Sequence, residues 1–168
     1  MNQDLRSKLA STEMLILDVD GVLTDGRLFY GSGGIEIKAF HVHDGYGLKK
    51  IQQEGISVAI VSGRESDIVK KRADELGIRF LFQNIAEKKK VLKELRQRSG
   101  IEPQHMAHVG DDLPDIELFK SVGLGIAVAD ALFKVRKSAD LITKAKGGEG
   151  AVREVCELLL TSRLDTNE

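Results

Sequence analysis

The chain has 168 residues, a formal net charge of −1, 42% hydrophobic and 30% charged residues, and one cysteine. Near-neutral charge gives no general pull toward nucleic acid or a membrane surface, and a lone cysteine excludes an internal disulfide framework. No apolar run approaches the roughly 20 residues of a membrane span and Met1–Arg6 has no apolar signal core, so the expectation is a cytoplasmic protein forming one domain over 1–168.

Leu5 to Ala10 reads as a short helix. Met14 to Leu17 reads as a buried strand that ends abruptly in Asp18-Val-Asp20-Gly21. Side chains alternate along a strand, so Asp18 and Asp20 share a face if the strand continues, and Gly21 lets the chain turn there. One such acid could attack, the other could shuttle a proton, and together they could hold a hard cation. The runs 27–30 and 35–40, around Gly31-Ser-Gly-Gly34, predict a β-hairpin inserted at about 24–40. Such a hairpin is too small to bury both faces, so Phe29, Tyr30, Ile35, Ile37 and Phe40 need a partner surface. Asp44 is placed to cap a helix from Tyr46 to Glu54.

A strand–helix alternation follows. Strands are expected at 56–61, 79–82, 106–109 and 123–128, with an edge stub at Leu141-Ile142. Helices are expected at 66–76, 87–98, Pro114 to Val122, 132–137 and 151–160, and the tail 161–168 is polar and frayed. This order implies parallel strands joined by right-handed helical crossovers, in a three-layer α/β/α Rossmann-like sandwich with a small hairpin insertion. The strand ends carry Asp18 and Asp20, Ser62, Lys88 just beyond the third strand, and Asp111, Asp112 and Asp115. All fall on the edge where open parallel sheets bind ligands. Taken singly, each has a plain reading as a helix cap or a solvated charge. Together they suit phosphoryl transfer: carboxylates for Mg²⁺, Ser62 and Lys88 for phosphate oxygens, and an acid able to form an aspartyl-phosphate.

Asp18-Val-Asp20-Gly21-Val-Leu-Thr24, Ser62-Gly63, Lys88 and Gly110-Asp111-Asp112 resemble, in order, the four motifs of the haloacid-dehalogenase-like phosphatases. The runs Asp44-Gly-Tyr-Gly47, Ala127-Val-Ala-Asp130-Ala and Gly147-Gly-Glu-Gly150-Ala-Val-Arg-Glu154 extend the resemblance over about 15–160, to the capless subfamily acting on 3-deoxy-D-manno-octulosonate (KDO) 8-phosphate. The resemblance implies Asp18 as nucleophile, Asp20 as general acid/base, and Mg²⁺ held by Asp18, the Asp20 carbonyl and Asp111. It also implies Thr24, Ser62, Gly63 and Lys88 around the phosphate, with Asp112 and Asp115 supporting the metal or Lys88. Arg64 and Arg72 match arginines near the sugar carboxylate, Arg72 reaching across a subunit boundary. The implied assembly is a homotetramer packed through its hairpins, with the Gly147–Gly150 segment over the site, and the implied pathway is lipopolysaccharide core synthesis.

His43, Glu149 and the short tail depart from the family pattern, at positions that touch substrate choice rather than the catalytic set. His41, His105 and His108 lack metal-ligand spacing and read as structural or surface. Two alternatives stay open: a nine-carbon 2-keto-3-deoxy acid 9-phosphate as substrate, or a non-catalytic oligomerisation module. A receiver domain is excluded, because the strand at 79–82 ends without an aspartate.

Overall fold

A computed structural model describes residues 2–164. Helix α1 spans Gln3–Ala10 and is capped by Asn2, whose Oδ1 accepts a bond from Leu5 N–H at 2.8 Å. Strand β1, Met14–Leu17, is buried throughout. The insertion is an antiparallel pair, β2 (Phe29–Tyr30) and β3 (Glu36–Ile37), with Phe29 opposite Ile37 and Tyr30 opposite Glu36. Its arms are shorter than the sequence suggests, because Ser32–Gly34 forms a 3₁₀ turn with no buried side chain to hold longer strands together.

Helix α2, Val42–Gln53, begins four residues before the expected Tyr46. His41, not Asp44, is the N-cap; Asp44 lies inside the helix, buried, and accepts Arg153 N–H at 2.7 Å. Strand β4 (Ser57–Val61), helix α3 (Asp67–Leu76) and strand β5 (Phe80–Phe82) follow, and α3 is closed by left-handed Gly77. A 3₁₀ turn, Lys88–Lys90, leads into α4 (Val91–Ser99). Strand β6 (Met106–Gly110) precedes α5, which covers only Asp115–Phe119. It stops short of Val122 because Gly123 must return to the sheet, donating its N–H to Pro103 O and Met106 O.

Strand β7 (Leu124–Ala127), helix α6 (Phe133–Ser138), edge strand β8 (Leu141–Ile142) and helix α7 (Ala151–Leu164) complete the fold. The expected frayed tail is corrected over 161–164: the helix continues, and the Arg163 guanidinium donates to Glu54 O and Thr12 O, both at 2.8 Å. Positions 165–168 lie outside the described residues.

The six-stranded sheet has the order β5-β4-β1-β6-β7-β8 and is parallel throughout. Leu15 and Leu17 of β1 enter a core with Leu48 and Ile51 of α2 and Val152 and Val155 of α7. Met14 and Ile16 enter a second core with Val91 and Leu95 of α4 and Leu118 of α5. Two cores on opposite sheet faces make the three layers, and each fully buried aliphatic side chain contributes about 1.5–3 kcal/mol. The chain runs outward from β1 to β5, then returns to place β6 on the other side of β1. That reversal puts a switch point between β1 and β6, where an open sheet leaves a crevice at its carboxyl edge. Among the described residues no helix is long and apolar enough to cross a membrane.

Candidate active site

Asp18 follows β1 at the switch point. It falls in register with Met14 and Ile16, so it emerges on the face covered by α4 and α5. The chain then turns tightly, with the N–H groups of Val22, Leu23 and Thr24 all converging on Val19 O. Asp18 Oδ1 accepts Val19 N–H at 2.7 Å, and Oδ2 lies 2.7 Å from Lys88 Nζ. Lys88 heads the 3₁₀ turn and also reaches Asp115 Oδ1 at 2.7 Å. Asp115 is saturated: Oδ1 also pairs with His108 Nε2 at 2.9 Å, while Oδ2 accepts the N–H groups of Asp111 and Asp112 at 3.0 and 3.1 Å. His108 comes from β6 and lies 3.2 Å from Ile16 O through Nδ1, so its ring ties the floor of the site to β1.

Burial raises the Asp18 carboxyl above its ordinary range; Lys88 opposes this and Asp115 adds to it. Asp111 is pushed up to about 7, by burial first and by Asp18 and Asp115 next. Burial also works against the charged form of Asp115, but His108 and Lys88 outweigh it and hold that carboxyl well below the usual range. Lys88 is raised, because its two carboxylates overcome the desolvation that would lower it.

Asp18, Asp111 and Asp115 each place a carboxylate oxygen within 4.8 Å of the other two. Asp115 has no lone pair to spare for a ligand. Asp111 does: its Oδ1 is buried with no hydrogen-bond partner among the described residues. Two crowded carboxylates, one with an orphaned oxygen and an elevated pKa, fit a divalent cation with oxygen ligands. Gly21 keeps that space open, since at φ +87° any side chain there would meet the Asp111 carboxylate.

The carboxylate of Asp20 does not join this cluster. The strand ends at Leu17, so alternation no longer applies, and Asp20 turns toward the hairpin: Oδ1 pairs with Lys38 Nζ and Oδ2 lies 3.6 Å from Arg64 Nε. The Asp20 carboxylate is therefore not among the groups placed to hold the cation, contrary to a reading of Asp20 as a side-chain metal ligand. The hairpin sends three polar side chains to this region. Tyr30 Oη lies 2.7 Å from Arg64 Nη2, Glu36 Oε2 accepts from Ser66 Oγ at 2.6 Å, and Lys38 reaches Asp20. The hydroxyl of Ser66, helped by Lys38 and Arg64, outweighs desolvation and holds the Glu36 carboxyl low. Sequence reasoning missed Lys38 and Glu36, and its reading of His108 as structural or surface holds on the structural side without foreseeing the bond to Asp115. The signal for the first two is the alternation Ile35-Glu36-Ile37-Lys38, whose apolar half faces outward and whose polar half faces the site.

Ser62 directly follows β4, beside β1, and its Oγ accepts Arg64 N–H at 3.2 Å. Gly63 approaches Ile85 O without crowding. Thr24 is buried, and its Oγ1 accepts Gly26 N–H at 3.2 Å, holding the turn after β1. Asp112 is exposed and its carboxylate accepts Leu113 N–H, so the support of Lys88 comes from Asp115. Arg72 is not in the cluster; its guanidinium lies 5.6 Å from the Phe40 ring centre and against Gly45 of α2. Gly47 packs on Arg153 and Cys156, so the Asp44–Gly47 run serves the α2–α7 contact.

Gly147 and Gly148 lie directly on the turn at 21–25; Gly148 N–H donates to Val22 O, and Asp130 Oδ1 accepts Gly147 N–H. Glu154 accepts Lys144 and Ala145 N–H groups at 2.9 Å, fixing the segment from behind. Glu149 and His43 are exposed, the His43 ring 5.0 Å from that of His41.

Comparison with known proteins gives a consistent picture. Residues 78–155 match the haloacid dehalogenase-like hydrolase family. The chain is 44% identical over 163 residues to the 3-deoxy-D-manno-octulosonate 8-phosphate phosphatase of Escherichia coli K12, covering 97% of this chain and 87% of the relative. It is 45% identical over 157 residues to that of Salmonella typhi, covering 94% and 84%. The crystal structure of the Moraxella catarrhalis phosphatase, in complex with magnesium, phosphate and KDO, superposes with a TM-score of 0.95 at 42% identity, covering 99% of this chain and 96% of that one. The Yersinia pestis phosphatase structure superposes with a TM-score of 0.96 at 40% identity, covering 99% and 90%.

Proposed function

The chain belongs to the 3-deoxy-D-manno-octulosonate 8-phosphate phosphatases of the haloacid dehalogenase-like hydrolases, and on that footing we propose that it hydrolyses KDO 8-phosphate to KDO and phosphate. The observation that carries this reading is the joining of Asp18, Lys88 and Asp111 at the β1/β6 switch point.

Asp18 is the nucleophile. Its carboxylate attacks phosphorus, the bond from phosphorus to the sugar oxygen breaks, and Asp20 gives that oxygen its proton. Asp20, now a carboxylate, takes a proton from water; the water oxygen attacks the aspartyl-phosphate, and the bond to Asp18 breaks to release phosphate. Lys88, Ser62 and Gly63 bind the phosphate oxygens where charge accumulates. Asp18, Asp111 and the Asp20 carbonyl would hold Mg²⁺, which would offset the negative charge of phosphate and carboxylates. Asp115 and His108 keep Lys88 and the Asp111 loop in place. Arg64, half-exposed beside Asp20, meets the sugar end of the substrate.

The apolar outer face of the hairpin supports a homotetramer, and the product supports a cytoplasmic role in making the core sugar of lipopolysaccharide. The test is Mg²⁺-dependent phosphate release from KDO 8-phosphate, a nine-carbon acid 9-phosphate and ordinary hexose phosphates. A strong preference for the first is expected. Preference for the nine-carbon compound would reassign the substrate, and no turnover with metal bound would leave an assembly module.

A further inference from the structure

The hairpin reverses the usual sense of a half-buried strand pair. Ile35 and Ile37 face outward with 58% and 56% exposure, while Glu36 and Lys38 turn in toward the site. Lys38 goes furthest. Only 1% of its side chain is exposed, and its ammonium meets Asp20 Oδ1 and lies 3.4 Å from Glu36 Oε1. Arg64 is the other cation near Asp20, but it stands off at 3.6 Å with 44% of its side chain exposed, so solvent weakens its hold.

Burying a lysine is costly unless its partners are fixed, and here they are fixed by two different elements: the turn after β1 and the hairpin. Among the described residues no backbone N–H donates to the Asp20 carboxylate, whose partners are Lys38 and Arg64. Left free, that carboxylate could take several rotamers, of which only some face a leaving group.

We propose that Lys38 is the positioning residue of Asp20: the hairpin delivers a buried ammonium that fixes the acid/base carboxylate on the hairpin side of the site, away from Asp18 and Asp111. This rests on the assignment of Asp20 as acid/base. Lys38 acts through Asp20, to which its ammonium is paired.

The discriminating property is the need for a proton. A sugar alkoxide leaves poorly without one, and positioned proton transfer is worth about 10²–10⁴-fold. An aryloxide such as p-nitrophenolate leaves without help. The experiment measures first-turnover release of the leaving group, with Mg²⁺, from KDO 8-phosphate and from p-nitrophenyl phosphate. It compares the wild type with Lys38→Met, Lys38→Gln, Lys38→Arg and Asp20→Asn, all checked by thermal unfolding.

Lys38→Met and Lys38→Gln are expected to slow release from the sugar phosphate by about 10-fold or more and to keep release from the aryl phosphate within about threefold, with partial recovery in Lys38→Arg. The maximal first-turnover rate, rather than the substrate concentration that half-saturates it, should carry the loss. Asp20→Asn should show the same selectivity, more strongly. Selectivity in Asp20→Asn without it in either neutral Lys38 variant overturns the Lys38 proposal alone. Absence of selectivity in Asp20→Asn removes the acid assignment and the proposal with it.

Discussion

Lys88 Nζ stands 2.7 Å from Asp18 Oδ2, with 5% of one side chain and 12% of the other exposed. The pair is completed by Asp115, which is not exposed at all. Replacing Lys88 by Met leaves two buried carboxylates without their cation, so the expected loss of stability is about 3–5 kcal/mol, measurable by urea unfolding. Turnover in the folded fraction should fall on the order of 10²-fold or more. Near-wild-type stability would mean that the ammonium is dispensable to this cluster.

Asp18→Asn keeps the side-chain shape and the bond from Val19 N–H but removes the attacking charge. Turnover of KDO 8-phosphate should drop at least about 10³-fold, with an unchanged far-UV spectrum and assembly mass. Steady hydrolysis in a clean preparation would reassign the nucleophile.

Burial, with Asp18 and Asp115 beside it, pushes the Asp111 carboxyl up to about 7. In the metal-free protein the folded state therefore keeps a proton that the unfolded chain has lost between about pH 4 and pH 7. That contribution to stability is present below this window and fades as pH rises through it. Mg²⁺ competes with the same proton, so its stabilisation should be larger at about pH 8 than at about pH 6. Thermal unfolding with and without Mg²⁺ at both pH values reads the difference, and an equal shift in melting temperature at both would argue against Asp111 as a ligand.

Gly21→Ala tests the space around Asp111. The backbone there has φ +87°, and a methyl group would meet the Asp111 carboxylate. The variant should lose about 1–3 kcal/mol and bind Mg²⁺ more weakly. Unimpaired Mg²⁺ binding would show that Asp111 can yield without cost.

Phe29 and Ile37 face each other across the hairpin with 47% and 56% exposure. Exposed apolar pairs on a two-stranded arm call for a partner surface. If the proposed homotetramer packs through its hairpins, Phe29→Ser with Ile37→Ser should lower the mass in sedimentation and reduce activity with it. A fully active assembly of unchanged mass would remove the hairpin from the interface.

His108 illustrates how a site residue escapes a linear reading. By itself a histidine on a strand is unremarkable, and its importance comes from Asp115, seven positions on, being returned beneath it by α5. Asp44 shows the converse. An aspartate before a helical run predicts a cap, but Arg153 N–H, brought in by α7, claims its carboxylate and draws it into the helix.

The sequence by itself determined the strand–helix alternation, the parallel sheet and the attachment of Asp18, Ser62, Lys88 and Asp111 to its carboxyl edge. Those follow from local periodicity, glycine stops and the chain's own order. Only the tertiary structure decided which acid holds Lys88, where the Asp20 carboxylate points and what the inner face of the hairpin does. Each of these depends on side chains from elements far apart in sequence, meeting where burial makes an unpaired charge costly, and no local pattern encodes that meeting.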